Sequence, residues 1–491
     1  MNHYKIIYVI LIFSIIKSYG QEHEISWPVG YHSDWLPSNN GTGFLSVSNL
    51  GSKVNNYEIK ANIENTIAIY VKNSKLLLYS NGCEIYSGKT NVILAEKSIQ
   101  KQGDFSKLMC PKYGMNIRRG AFFVENPKDS NLIYFIYLSA NPDPYNIIVN
   151  NGIYFSIIKY DHNIDNYTLV EQDIKLLEEN IESISIVKHG NGKDYWMLSF
   201  KKGSKQYLLH LIDSGGIHFA KNDAAGIDLS FDVCDFVNSS IFSPDGNYLA
   251  RFNHKCGLNI YKFDRCAGSL QYLDRFRINN SDNLEGDISF SPDSKLLYIL
   301  SANFSQSIIC RLKLLDIGTK VIPYTLDTLK LGILIDRCEL MPNGEIYVCS
   351  PASSKAIHTI SNTNEFSDKI QFNYNKIVFD YFIMPSLPSL YNDTLGVLLG
   401  SHCDSTIVSL DNIAKADINI YPNPFSSTLK IESFHIIKQV DIYNTLGQVL
   451  FKYYPNSQYT TIEINNGKSV GIYYLKVSTI HNTFLKKIIK I

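Results

Sequence analysis

One turn recurs three times in the second half of the chain and fixes what the chain can fold into. Phe242-Ser243-Pro244-Asp245-Gly246, Phe290-Ser291-Pro292-Asp293-Ser294 and Leu340-Met341-Pro342-Asn343-Gly344 lie about 50 residues apart, each followed by an apolar or aromatic run. Proline presets φ at the first central turn position, Asp or Asn tolerates the next, and glycine accepts the positive φ needed as a strand reverses. A period of about 50 residues is the length of one four-stranded propeller blade with its loops, whereas tandem sandwiches repeat at about 100. Weaker relatives stand upstream at Lys72-Asn73-Ser74-Lys75, Asn126-Pro127-Lys128-Asp129 and His189-Gly190-Asn191-Gly192. Six hairpins are therefore visible. With one degenerate blade, in which N-terminal and late strands pair to close the ring, the pattern favours seven blades, with six or eight as alternatives. Alternation places Ile288, Phe290, Leu297 and Ile299 on packing faces between successive sheets. A short helix is expected only around Asp173 to Glu182.

The rest of the composition agrees with an exported all-β protein. At 491 residues the chain exceeds one ordinary core, and its 33 Tyr and 25 Phe suit half-buried strands. Lys plus Arg and Asp plus Glu are equal at 46 each, which leaves no basic footprint for nucleic acid. At the N-terminus, Lys5 precedes the apolar run Ile6 to Ile16, and Ser18-Tyr19-Gly20 supplies small residues at cleavage spacing. Residues 1–20 read as a signal peptide cleaved after Gly20. The run is shorter than the roughly 20 residues that span a bilayer, and the sequence offers no later transmembrane segment. Nine cysteines permit disulfides in an exported chain, and Cys256 with Cys266, flanking Leu258 to Phe263, form the local pairing expected. The ectodomain is expected over 21–404. Ser401 to Ala416 breaks the strand pattern with small and polar residues, giving a linker at 405–416 before a C-terminal domain over 417–491.

That last stretch reads as an immunoglobulin-like β-sandwich. Strand-like runs occur around Leu429 to Ile431, Val440 to Tyr443, Val449 to Tyr453, Thr461 to Ile464, Ile472 to Val477 and Phe484 to Ile489. Its motifs are Tyr421-Pro422-Asn423-Pro424, Ile442-Tyr443-Asn444-Thr445-Leu446-Gly447-Gln448, Gly471-Ile472-Tyr473-Tyr474-Leu475-Lys476-Val477 and Lys486-Lys487-Ile488-Ile489-Lys490. In this order, over about 75 residues, they closely resemble the type A C-terminal sorting domain of the type IX secretion system. The resemblance implies passage through the periplasm and across the outer membrane of a Gram-negative bacterium. It also implies the type IX machinery and a sortase-like peptidase as partners, and release or surface attachment as the outcome. The body looks, more loosely, like the repeated ectodomain that often precedes this domain, through the segments 187–196 and 263–268 and the Ser-Pro-Asp turns. That family implies no shared activity.

Other chemistry is sparse. Asp161-His162-Asn163-Ile164-Asp165 has calcium-loop spacing at its start, but Asn166 replaces the turn glycine and Gln172 stands where a bidentate Glu belongs, so a plain hairpin is expected. His402-Cys403-Asp404 lacks any accompanying nucleophile motif, and His189, His210 and His218 are too scattered for a metal site. Arg118-Arg119-Gly120 reads as a solvated turn or an inter-blade anchor rather than an anion site. Asp327-Thr328-Leu329, Asp393-Thr394-Leu395 and Asp404-Ser405-Thr406 resemble periplasmic O-glycosylation acceptors. With no cofactor, metal or catalytic residue indicated, the leading expectation is a surface or secreted propeller that binds a protein or glycan. A hydrolase or lyase with a site at the channel mouth is the alternative.

Overall fold

A computed structural model describes residues 24–31, 41–63, 66–94, 104–110, 113–143, 148–229, 238–253, 255–276, 285–302, 307–314, 329–331, 333–350, 353–366, 370–384, 387–404, 418–445, 448–464, 469–479 and 483–491. The chain divides into two compact units, 1–403 and 404–491. No helix among the described residues is long and apolar enough to cross a membrane. The signal peptide with Gly20, the linker at 405–416 and Gly447 lie outside the described residues.

The first unit is a seven-bladed β-propeller. Blade 1 comprises Ile25–Tyr31, Gly41–Ser48 and Gly51–Asn56; blade 2 comprises Ala68–Lys72, Lys75–Ser80 and Ile85–Ser87. Blade 3 runs Ala121–Glu125, Leu132–Pro142, Ile148–Asp161, Asn166–Leu177, and blade 4 runs Ile181–Lys188, Tyr195–Lys201, Gln206–Asp213, Gly216–Ala224; a single pair, Ile181 with Asn150, joins these two. Blade 5 (Asn238–Phe242, Tyr248–Asn253, Gly257–Asp264, Ser269–Phe276) and blade 6 (Glu285–Phe290, Leu296–Ala302, Ser307–Lys313, Leu329–Leu331) follow. Blade 7 (Arg337–Leu340, Ile346–Cys349, Ser354–Ser361, Gln371–Ile383) completes the set. Within each blade every pairing among the described residues is between sequential antiparallel strands, so each blade is a meander built from local turns.

The recurring turn joins the first two strands of a blade in each of its six positions. Ser243 accepts the amide of Gly246 (2.8 Å), its hydroxyl accepts Tyr248 N (2.9 Å), and Gly246 sits at φ +72°. Ser291 repeats this with Ser294 N (2.9 Å) and Leu296 N (2.9 Å). At the third turn Met341 has no hydroxyl, but its carbonyl accepts Gly344 N (2.9 Å) and Asn343 accepts Glu345 N (3.1 Å), as Asp245 accepts Asn247 N (3.0 Å) and Asp293 accepts Lys295 N (3.2 Å). The turns also touch one another. Asp245 N donates to Ser294 Oγ (3.0 Å), and Asp293 N donates to Asn364 Oδ1 (2.9 Å), tying blade 5 to 6 and blade 6 to 7.

Side-chain alternation sorts residues between the two neighbouring blades rather than between core and solvent. Ala121 and Phe123 pack toward blade 2, while Phe122 and Val124 pack toward blade 4. Ile288, Phe290, Leu297 and Ile299 fall together in the cluster between blades 5 and 6, as their spacing implied. Such clusters follow one another round the ring between blades 2 and 3, 3 and 4, 4 and 5, 5 and 6, and 6 and 7. The circle closes in one larger cluster, where Trp27, Val29 and Leu45 of blade 1 meet Ile67 and Tyr79 at blade 2 and Tyr347, Phe379 and Tyr381 of blade 7.

Closure differs from the expectation of a sheet mixing N-terminal and late strands. The described strands of blade 1 are all N-terminal, and the late contribution is a non-strand segment whose Leu387 and Leu390 pack into the closing cluster. Tyr381 provides a second seal. Its ring lies so close to blade 1 that a Cβ at Gly41 would sit 2.4 Å from Cγ and one at Gly43 2.5 Å from the hydroxyl oxygen. Gly41→Val is therefore expected to destabilise the propeller by about 1–3 kcal/mol through overpacking. Thermal unfolding checks this, with Gly396→Ala, where a Cβ meets nothing within 4 Å, as the neutral comparison.

Two further expectations are corrected. Asp173 to Glu182 forms no helix: Asn166–Leu177 and Ile181–Lys188 are strands, and the apparent helical spacing reflects bulges around Glu171 and Ile174, with Asp173 at φ +56°. Cys256 and Cys266 are not partners. Cys266 is bonded to Cys403, with Cα atoms 5.7 Å apart, and Cys256 belongs to a different disulfide. Cys83 and Cys110 form another, 5.6 Å apart. The strand from Gly257 to Asp264 runs straight between Cys256 and Cys266, and at about 3.3 Å per residue this holds their Cα atoms far beyond disulfide reach.

The second unit is a small sandwich. Thr428–Tyr443 is one long strand whose first half pairs with Ile418–Tyr421 and Ser457–Glu463 and whose second half pairs with Val449–Tyr453 and Gly471–Thr479. The sequence runs at 429–431 and 440–443 are thus two halves of one strand, with a register shift between Glu432 and Ile437. The final strand, Thr483–Lys490, pairs with Gly471–Thr479.

Candidate functional sites

The propeller axis is occupied by arginines. Arg118-Arg119-Gly120 immediately precedes the first strand of blade 3; Arg119 is at φ +45°, and a Cβ on Gly120 would lie 2.7 Å from that of Ile117. From this tight turn Arg119 reaches Asp287 of blade 6 (2.8 Å), and Glu339 (2.9 Å) and the Cys338 carbonyl (3.0 Å) of blade 7, and it also bonds Ser239 of blade 5. Arg118 pairs with Asp336 (2.6 Å) and donates to the Gly286 carbonyl. Asp287 accepts Cys338 N as well (3.1 Å). Of the two readings of this tripeptide, the inter-blade anchor is what the structure contains. Its acidic partners were missed, although each is an acid beside or within the first strand of blade 6 or blade 7.

Burial sets the electrostatics. Burial pushes Asp287 up, but Arg119 and Arg118 outweigh it and hold the carboxyl below its usual range. Glu339 is pushed up to about 7, because burial and the Asp287 charge exceed the help from Arg119. A carboxyl whose folded value exceeds its unfolded value of 4.5 favours the folded state most at low pH and loses that contribution as pH rises toward about 7. Glu339→Gln keeps an acceptor for Arg119 and removes the titration. The decline in stability between pH 5 and about 7.5 is expected to flatten in this variant, read from melting temperatures across that range.

The remaining candidates resolve structurally. The calcium-like loop is a plain hairpin: Asp161 accepts Asn163 N (2.8 Å), and Asp165 is held by Lys89 and Tyr160. His189 Nδ1 accepts Asn191 N (3.0 Å), His210 is buried against Phe219 with its pKa lowered to about 4 by burial, and His218 faces Asp213 (3.3 Å). Cys266, His402 and Cys403 have ligand-type atoms within 4.8 Å of one another, but the two sulfurs are bonded together and offer no thiolate. Thr394 donates to Asn392 (2.7 Å) in an exposed turn, while Asp327-Thr328 and Ser405-Thr406 lie outside the described residues.

In the second unit the motif residues form a clasp on the last strand. Asn423 donates to the Lys487 carbonyl (3.0 Å) and accepts Ile489 N (2.8 Å), so one amide side chain imitates a strand neighbour. Phe425 is buried and continues the imitation through its backbone, with Phe425 N to Ile489 O and Ile491 N to Phe425 O both 2.9 Å. Pro422 and Pro424 flank Asn423 on the exposed side, and Tyr421 bonds Glu432 (2.5 Å). Gly471 opens the strand beneath, Tyr473 is buried with its hydroxyl on the Ser469 carbonyl (2.5 Å), and Lys487 lies exposed on the final strand. Asn444 and Gln448 pinch the hairpin, with Asn444 Oδ1 accepting Gln448 N (2.9 Å).

The family profile described as "Secretion system C-terminal sorting domain" matches residues 419–491. No curated protein sequence matches the chain. Among solved structures, the periplasmic gluconolactonase of Pseudomonas aeruginosa is 10% identical, over 74% of this chain and 100% of that one, with a TM-score of 0.44. A β-propeller domain from Myceliophteria thermophila is 8% identical, over 66% and 96%, with a TM-score of 0.39. PorZ, a surface component of the type IX secretion system of Porphyromonas gingivalis, is 11% identical, over 91% and 80%, with a TM-score of 0.23. Likenesses of this size assign no activity to the chain.

Proposed function

We propose that this chain, a secreted or cell-surface protein addressed by its type IX sorting domain, carries a propeller that binds a protein or glycan and does no chemistry at its axis. A catalytic constellation needs titratable side chains free to meet a substrate. Among the described residues, Asp287, Asp336 and Glu339 at the axis are each paired with Arg118 or Arg119, and that pairing carries the reading. Recognition then falls to the loops between blades, where side chains project from a rigid frame. The sorting domain meets the type IX machinery, and a sortase-like peptidase is the partner we assign to its removal.

Screening the full chain on glycan and surface-protein arrays, alongside chromogenic lactones, esters and glycosides, tests this. Saturable binding without turnover is the expected outcome. Turnover abolished by Asp336→Asn would replace the binding reading with the hydrolase one.

A further inference from the structure

The segment 387–403 is a strap across the propeller. Leu387 packs in the closing cluster of blades 7, 1 and 2, and Ser389 N donates to Ile67 O (2.8 Å). Tyr391 is partly buried, packs edge-on against Phe122 of blade 3 and Tyr195 of blade 4, and donates to the Phe123 carbonyl (3.0 Å). Asn392 donates to the Pro244 carbonyl of the blade 5 turn (2.7 Å), Leu395 packs between blades 4 and 5, and Leu398 N donates to Gly190 O (2.8 Å). Its end is fixed by Cys403 to Cys266, in the turn after the third strand of blade 5. Along the whole strap the only ladder-type contact among the described residues is the single bridge between Val397 and Asn191.

We infer that the Cys266–Cys403 disulfide is a redox latch on this strap, open to exchange with a dithiol oxidoreductase. Two observations single out this bond, its loop length and the segment it holds, and a third makes it reachable. The bond joins residues 137 apart in sequence, against 27 for Cys83 and Cys110, so it constrains the open chain more. Cys403 is only partly buried and adjoins exposed His402, so a thiolate can reach its sulfur; Cys110 of the other disulfide is partly buried as well, while Cys266 and Cys83 are buried. The strap also crosses the ring without a strand to hold it, and irregular segments with few ladder bonds open first.

In the exchange, a thiolate of the oxidoreductase attacks Cys403 Sγ, the Cys266–Cys403 bond breaks, and Cys266 leaves as a thiolate that takes a proton. The second thiol of the oxidoreductase then attacks the mixed disulfide and frees Cys403. The partner ends as a disulfide, and the latch has gained two electrons and two protons. His402, within 4.8 Å of both sulfurs, is placed to pass the proton.

The test uses the full chain under graded dithiothreitol, with alkylation mapping of cysteines and hydrogen exchange in parallel. Cys266 and Cys403 are expected to be alkylated before Cys83 and Cys110, and amides in 387–403 to exchange at least about tenfold faster once they are. The C266S/C403S double variant should show the same acceleration without reductant, while 418–491 is unchanged and C83S/C110S leaves the strap protected. If the variant does not fold, the native titration alone decides. Earlier reduction of Cys83–Cys110, or unchanged strap protection after Cys266 and Cys403 are freed, overturns the latch. Neither outcome depends on what the propeller binds.

Discussion

Arg119→Met is expected to be the most damaging single substitution in the propeller, lowering stability by about 3–5 kcal/mol. Methionine fills much of the stem volume, so the loss is electrostatic. Asp287 is buried and the Glu339 side chain is only 13% exposed, and Arg119 is the cation 2.8 and 2.9 Å from them. Removing it strands two carboxyls, and the hydrogen bonds to Ser239 and the Cys338 carbonyl go with it. Arg119→Lys should recover only part, because one ammonium cannot span the acceptors on three blades that a planar guanidinium reaches. The triple variant Arg119→Met, Asp287→Asn, Glu339→Gln should be more stable than Arg119→Met alone, since the buried charges are removed together. Chemical denaturation of all three checks the argument. A loss for Arg119→Met below about 1 kcal/mol, the range of exposed pairs, would mean that water reaches the axis and the cluster is not a structural tie.

How much of this was legible in the sequence follows from the range of the forces involved. Ser-Pro-Asp turns are local chemistry, so the hairpins at Ser243, Ser291 and Met341 are visible in four or five letters, and six such hairpins led to seven blades. The clasp residues Asn423 and Phe425 also stand in a recognisable string, although nothing in the string says that they grip Lys487 and Ile489 more than 60 residues later. Contacts that depend on ring closure were hidden. Cys266 pairs with Cys403 across the ring rather than with Cys256 across one strand, and sequence spacing favours the nearer partner. The segments 187–196 and 263–268 looked like separate signatures; they are one contact, with Trp196 Nε1 donating to the Arg265 carbonyl at 2.7 Å and Gly190 N to the same oxygen at 2.8 Å. Asp173 misled for a different reason: a bulge inserts a residue into the period-2 pattern and imitates helical spacing.

A chain stopped after Lys415 is expected to fold its propeller and remain in the periplasm. Among the described residues, the contacts that close the ring lie upstream of Asp404: the Tyr381 seal, the strap and the Cys403 disulfide. The truncated protein should therefore melt at the temperature of the propeller transition in the full chain. What it loses is the unit matched over 419–491, and with it the surface that the secretion machinery reads. A finer variant separates folding of that unit from its presence. Asn423→Ala deletes the two bonds that hold Lys487 and Ile489, with an expected loss of about 1–3 kcal/mol in the sandwich. If the machinery reads the last strand in its clasped position, export of Asn423→Ala falls with the stability of the sandwich while the propeller transition stays put. Cell fractionation followed by immunoblotting measures both variants. Surface display of the truncated chain at the full-length level would show that the C-terminal unit is not the address, whatever its fold.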